Sequence, residues 1–482
     1  MKKTKNKSIV TVPKLLFCAS MLVVLVGILL LYCGSSRTAV TLEKPDETDA
    51  LQGFTLRGAV GDASYCENFT LKDGKITSKS TPKSVYPFGS NARLWASTSW
   101  HPTAEAFAAM GKTLKKTDAA DIWESTCNDF ALMLTVNTGN DKMARIHTGA
   151  VLHTAAPVTM QTASRVSAWG KEELTGYYSA YQNETLRDVR CGITEIDDIT
   201  YVYCDAASGL APTLYRVDAE TDAQNDLPKN GNIKGIPMVL PTEEYGKLST
   251  VHAFSNNSRI AGITGVDDIL CVAMLENDTV TLYLMDKGGK ITDIYPTGVN
   301  APITDTESQQ LVPYVQFAQQ QNAHEVCFST QTFSAASAVM STFTYSGLRV
   351  ENGKVTSICQ TKPISAASME NADTAMMELQ MLALSMRADG KALLVANPHT
   401  RYDGTKQGST GVGTYLQDGV TLNIYENNSD TPLFSNRLQC NMQDDTTAAR
   451  LNLLPRQGYQ RTGQREFAFD TARLAQTKRF EF

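Results

Sequence analysis

The sequence predicts an all-β protein, a β-propeller of about seven four-stranded blades behind one transmembrane helix; six or eight blades, or stacked β-sandwiches, are the alternatives. Three observations lead there. Residues 192–199, GITEIDDI, answer 262–269, GITGVDDI, at an offset of 70, and TLYRVD from Thr213 answers TLYLMD from Thr281 at an offset of 68. The segment 259–297 divides into four strand-like runs parted by Gly, Asn and Asp. Leu15 to Tyr32 is a run of eighteen residues without a charge.

Taken from the N-terminus, that run would rise about 27 Å as a helix, close to the hydrocarbon thickness of a bilayer. Lys2, Lys3, Lys5, Lys7 and Lys14 precede it, and the first acidic residue after it is Glu43. The asymmetry makes residues 1–14 a cytoplasmic tail and 15–32 a signal-anchor helix in the cell membrane, with everything beyond outside. Cleavage near Gly34-Ser35-Ser36, giving a secreted protein, and lipidation at Cys33 are the alternatives. Residues 33–53 are polar, contain Pro45 and lack apolar periodicity, so they read as a stalk; 54–482 reads as one extracytoplasmic propeller domain. Taking the five lysines from the 44 basic residues leaves 39 against 50 acidic, a net charge of −11 beyond the tail. Such a surface argues against a nucleic-acid partner, which calls for clustered positive charge, and leaves the membrane to be reached through the helix alone.

The clearest blade is 259–297: RIAGIT, a turn at GVDD, ILCVAML, a turn at ENDT, VTLYLMD, a turn at KGG, then KITDIYPT. Each run is rich in β-branched and aromatic residues, and each break carries turn formers. Following the turn after the third strand gives Asp218, Asp286, Asn352 and Asn427, at intervals of 68, 66 and 75, with Asp73 and Asp470 as candidate first and last members. Closing the array into a ring removes the exposed sheet edges that an open array would leave. Two segments, SWHPTAEAFA near Trp100 and SMRADGKALLVA near Asp389, resemble the strand-turn-strand signature of TolB-like and WD-repeat propellers. Trp100 lacks the following Asp-Gly and Asp389 lacks the Pro, so the resemblance implies the architecture and no activity.

Local chemical signatures are few. AFAAMGKT, 106–113, matches a loose phosphate-loop pattern, but Ala stands where the first Gly is needed and no αβ alternation surrounds it, so no nucleotide partner is expected. The six histidines form no HExxH pair, no CxxC occurs, and Asp197-Asp198 and Asp267-Asp268 lack calcium-loop spacing, so no metal and no cofactor are expected. A GxSxG elbow is also absent. The segment from Pro398 to Tyr415 inserts about a dozen residues where the clearest blade has a short turn. It carries His399, Arg401, Tyr402, Asp403 and Lys406 among four glycines, and reads as a binding loop or a flexible hairpin extension. Tyr177, Tyr178 and Tyr181 beside Glu172 and Glu173 form a second surface, read as packing rather than recognition.

If Asp197-Asp198 form a two-residue turn, opposed positions sum to 395, and Cys191 faces Cys204 in a non-hydrogen-bonded pair placed for a possible disulfide. The function expected is an outward-facing propeller that binds a ligand or protein partner at the cell surface. An envelope glycan- or peptide-cleaving enzyme with an axial carboxylate site, and a structural assembly factor, are the alternatives, with binding favoured over catalysis.

Overall fold

The computed structural model describes residues 20–26, 40–61, 65–82, 94–118, 122–138, 143–166, 172–174, 179–180, 186, 189–207, 210–219, 230–233, 236–239, 246–305, 310–333, 340–366, 378–407, 413–440 and 466–468. The chain is mostly β, and its strands alternate with two-residue turns in the left-handed region. Asp73-Gly74, Asp197-Asp198, Asn277-Asp278 and Asn352-Gly353 all have positive φ. Asp, Asn and Gly tolerate that conformation, and its twist matches that of the flanking antiparallel strands. The acidic pairs of the repeat are therefore turn chemistry.

Six antiparallel sheets of four or more strands stand among the described residues. Sheet I holds Thr55–Gly61, Tyr65–Lys72 and Lys75–Pro82, with Glu466–Ala468 along its first edge. Sheet II holds Trp95–Pro102, Ile122–Asn137, Met143–Val166 and Ser179–Ala180. Sheet III holds Cys191–Ile196, Ile199–Cys204, Thr213–Ala219 and Gly246–Ala253. Sheet IV is the segment read as the clearest blade: Arg259–Val266, Ile269–Glu276, Thr279–Met285 and Ile291–Asn300. Sheet V holds Tyr314–Phe317, Glu325–Phe333, Met340–Glu351 and Lys354–Gln360. Sheet VI holds Ala383–Met386, Ala392–Gln407, Gly413–Glu426 and Phe434–Cys440, and Val40–Leu42 adds a fifth strand to its outer edge.

Among the described residues five cores are each shared by two neighbouring sheets, and a sixth lies between sheet II and the helix Ala104–Thr113. Leu134 and Ile146 of sheet II pack on Val202 and Tyr215 of sheet III. Tyr201 and Tyr203 of sheet III meet Ile260 and Val272 of sheet IV. Leu282 meets Phe328 between sheets IV and V, Tyr345 meets Leu393 between V and VI, and Leu422 meets Leu56 between VI and I. Burying each such side chain contributes roughly 1.5–3 kcal/mol. The repeated glycine explains the close approach. A Cβ at Gly192 would lie 2.5 Å from the Tyr203 ring, and one at Gly262 would lie 2.8 Å from the Val315 carbonyl oxygen.

Of the six positions expected to follow a third strand, Asp73, Asp286, Asn352 and Asn427 do so, and Asp218 lies one residue inside the end of the third strand of sheet III. Asp470 lies outside the described residues; the strand before it, Glu466–Ala468, pairs along the first edge of sheet I. Sheet II escaped the repeat because its second and third strands run to 16 and 24 residues. The Trp100 segment is corrected as well. The strand there runs into a helix, Ala104–Thr113, started by the Thr103 hydroxyl accepting from Ala106 N–H, because Ala, Glu and Met favour helix where a second strand was expected. The Asp389 segment is strand, turn, strand, with Gly390 at φ 72.

Residues 40–53, expected as part of a stalk, lie against the folded unit. Val40, Leu42 and Leu51 are buried, and Lys44 N–H and C=O both bond the Asn436 side chain, so 40–53 belongs to the folded unit. Its few apolar residues anchor it without any visible period. Most of the expected span 15–32 lies outside the described residues. Residues 20–26 are helical, and among the described residues no helix is long and apolar enough to cross a membrane.

Candidate functional site

The first strands of sheets III, IV and V lie beside one another, and residues at their entries form a buried charged cluster. Asp205, directly after the second strand of sheet III, is fully buried. Its carboxylate accepts from Arg259 Nε at 2.8 Å, Arg259 Nη2 at 2.7 Å and Ile260 N–H at 2.9 Å. Arg190, just before the first strand of sheet III, reaches across to sheet V. It donates Nη1 to the Pro313 carbonyl at 2.5 Å and Nη2 to the Val312 carbonyl, and its guanidinium lies 5.7 Å from the Tyr314 ring centroid. Tyr314 is about half exposed, so the cluster has an open side.

Burial and neighbouring groups act on Arg190 in opposite directions. Burial pulls Arg190 below its ordinary value, while Tyr203, Asp205 and Tyr314 pull it back up. Burial also pushes the Tyr203 hydroxyl well above the usual phenol range. Among the described residues no ion pair reaches Arg190, and the nearby carboxylate of Asp205 is engaged by Arg259. The Asp205 carboxylate is thus bonded by Arg259 and by Ile260 N–H, and not by Arg190. Carbonyl dipoles and an aromatic face hold Arg190 without cancelling its charge.

Sequence reasoning missed this cluster, yet a signal was present. An arginine stands just ahead of the repeated glycine in both copies, as Arg190 before Gly192 and Arg259 before Gly262. The offset of one is absorbed by an irregularity between Ile260 and Gly262.

The residues singled out in 398–415 are not brought to that cluster. The segment is a hairpin: Pro398 stands opposite Val420, Tyr402 opposite Tyr415, and Gln407 opposite Gly413. His399 lies near the Thr421 hydroxyl at 3.4 Å. The side chains of Arg401, Tyr402, Asp403 and Lys406 lie outside the described residues, as do Tyr177, Tyr178 and Tyr181. Cys191 and Cys204 are direct partners across the Asp197-Asp198 hairpin. Asp205 N–H donates to Arg190 C=O, which makes the neighbouring cysteine pair the closer, non-hydrogen-bonded kind. Both are thiols, and burial pushes Cys204 far above the usual thiol range, so it is a poor nucleophile.

Two other constellations stand elsewhere in the described residues. Ser99 Oγ lies 2.8 Å from His101 Nε2, but Arg145 Nη2 lies 3.2 Å from the same nitrogen, and burial with Arg145 and His147 pushes His101 down to about 4. That imidazole is a weak base with no carboxylate behind it. His153 with Asp129 and His324 with Asp267 are exposed pairs at 2.6 Å. Among the described residues no group of three His, Cys, Asp or Glu could hold a metal.

No protein-family model and no curated protein sequence matches the chain. Among solved structures it is similar to a putative 6-phosphogluconolactonase from Bacteroides uniformis, at 10% identity and TM-score 0.26, over 79% of this chain and 98% of that one. It is also similar to β-1,2-mannobiose phosphorylase from Listeria innocua, at 10% identity and TM-score 0.24, over 77% and 96%. The third is TolB from Acinetobacter baumannii, at 9% identity and TM-score 0.23, over 79% and 78%. Likeness at this level says nothing of activity or ligand.

Proposed function

We propose that the chain is a single-pass membrane protein whose extracytoplasmic propeller, closed from six sheets, binds a ligand or protein partner at the cell surface. The observation that carries the anchor is the helix at residues 20–26. Its six consecutive apolar side chains, Met21 to Val26, are all 48–70% exposed. Such a helix is unstable in water and suited to lipid, and the five lysines before it set its direction. For six blades rather than seven, the support is that the C-terminal strand Glu466–Ala468 pairs along the first edge of sheet I. The N-terminal strand on sheet VI then interlocks the two ends of the array.

For the binding surface we favour the Arg190–Arg259 cluster and an acidic group on the ligand, because Arg190 is a partly buried cation with an open side. Sulfate at fixed ionic strength should raise the thermal midpoint of the wild-type chain and leave R190Q unmoved. Protease added to intact cells should remove the domain and spare the tail. Recovery of the whole chain in the cytosolic fraction overturns the reading, and a mature start near Ser36 converts it to a secreted protein.

A further inference from the structure

We propose that Cys191 and Cys204 form a reversible disulfide that fixes the strand end carrying Arg190 and Asp205. As a regulator of the cluster favoured above for binding, the bridge rests on that reading; its formation does not.

Register singles out this pair. Cys191 stands directly opposite Cys204 at the open end of the hairpin whose turn is Asp197-Asp198. Asp205 N–H donates to Arg190 C=O at 2.9 Å, so the next pair inward is the non-hydrogen-bonded kind, with Cα atoms about 4.5 Å apart. Disulfides span Cα separations of about 4.4 to 6.8 Å, so the backbone need not move to close the bond. Both side chains lie on the face toward sheet II: Cys204 belongs to the core with Leu134 and Ile146, and Cys191 packs against that core. Among the described thiols no other has such a partner. Cys127 faces Val158, and Cys271 lies between Thr264 and Leu284. Cys327 and Cys359 flank Gly347, two strand spacings apart, which at about 9.5 Å is out of reach.

Access sets the order of the chemistry. Cys191 is half-buried and Cys204 fully buried. Burial, then Cys191 and Asp205 beside it, push the Cys204 thiol far above its usual range, so exchange starts at Cys191. The Cys191 sulfur attacks one sulfur of a small-molecule disulfide such as oxidised glutathione, and the first glutathione leaves as thiol with the proton that Cys191 gave up. The Cys204 sulfur then attacks the Cys191 sulfur, and its proton goes to the second departing glutathione. Two protein thiols and one small disulfide become one protein disulfide and two small thiols.

Position gives the bond its effect. Arg190 precedes Cys191 and reaches the Pro313 and Val312 carbonyls, while Asp205 follows Cys204 and holds Arg259. The bridge ties the two strands one residue inside the Arg190–Asp205 pair, so fraying of that pair is suppressed. Both charged residues then leave the sheet from a fixed base, which lowers the ordering cost of binding there.

The test uses the full chain, incubated with oxidised glutathione and digested without reductant. Trypsin cuts after Arg190 and Arg216, so one peptide, 191–216, carries both cysteines and no other. The expected result is loss of two hydrogens from that peptide, reversed by dithiothreitol and absent in Cys191→Ser and Cys204→Ala. Exchange of the Asp205 amide hydrogen should slow several-fold in the oxidised chain. A peptide that stays reduced, or that keeps a glutathione on Cys191, overturns the proposal, as does a bridge that leaves Asp205 exchange unchanged. If the bridge forms and slows exchange but sulfate raises the thermal midpoint of neither form, the ligand reading of Arg190 falls and the bridge stands.

Discussion

Sheets II and VI each send out a long hairpin, and the two are built on opposite principles. In sheet II the strands Ile122–Asn137 and Met143–Val166 run past the Trp95–Pro102 strand and carry their own core. Phe130, Val158 and Met160 pack there with Met110 of the helix Ala104–Thr113. In sheet VI the hairpin beyond Pro398 is polar, with Gly404, Gly408, Gly411 and Gly413 and no long apolar run. The first arm is stabilised from within and needs nothing outside itself. The second has a backbone ladder and few apolar residues in its sequence to bury. Length of a hairpin therefore says little about its role; what fills the space beside it says more.

The largest way to break this contrast is Phe130→Ala. Phe130 is fully buried at the root of the first arm, and the substitution should cost about 3 to 5 kcal/mol, read as a lowered urea midpoint. A cost near that of a surface substitution would mean the arm is not a packed unit.

Acid should separate the two hairpins next. His101 sits beside the root of the first arm with its value lowered from 6.5 to about 4, first by burial and then by Arg145 and His147. A depressed histidine contributes stability that is present above pH 6.5 and is lost as pH falls toward 4, because the unfolded chain takes up the proton first. Urea midpoints should fall through that window, and His101→Gln should flatten the slope. An unchanged slope would place the acid sensitivity elsewhere.

A smaller effect tests whether the helix supports the arm. The Thr103 side chain accepts from Ala106 N–H at 3.2 Å, and Thr103→Ala should cost about 1 kcal/mol. Hydrogen exchange should quicken in the helix and in 122–129 together if they form one cooperative unit.

What could be read from the sequence divides along the same line. Turn positions were legible because Asp73, Asp197, Asp267 and Asn352 must adopt positive φ, and few other residue types do so cheaply. The Cys191–Cys204 register followed from one such turn. Sheet II was not legible, since its long strands break the period and its helix enters where a second strand belongs. The strand Val40–Leu42 was missed because three residues carry no period and their partners lie some 400 positions away. The Arg190 cluster was hidden for the same reason, for Asp205, Arg259 and Val312 meet only when three sheets are assembled.

The smallest expected effect is on the second hairpin itself. Thr400 stands opposite Gln417, so Arg401–Leu416 can be replaced by Asn-Gly, which closes a two-residue turn without changing register. The residues removed are mostly polar and lie beyond the row of Leu42 and Leu438, past the buried core of sheet VI. Shortening the closed loop favours folding slightly and losing a polar ladder opposes it, so the net change should stay within about 1 kcal/mol. A thermal midpoint lowered by many degrees would show that the hairpin is packed against the domain, which would erase the contrast with sheet II. An unchanged midpoint would sharpen it, because the same sixteen residues would then contribute nothing to the stability of the fold.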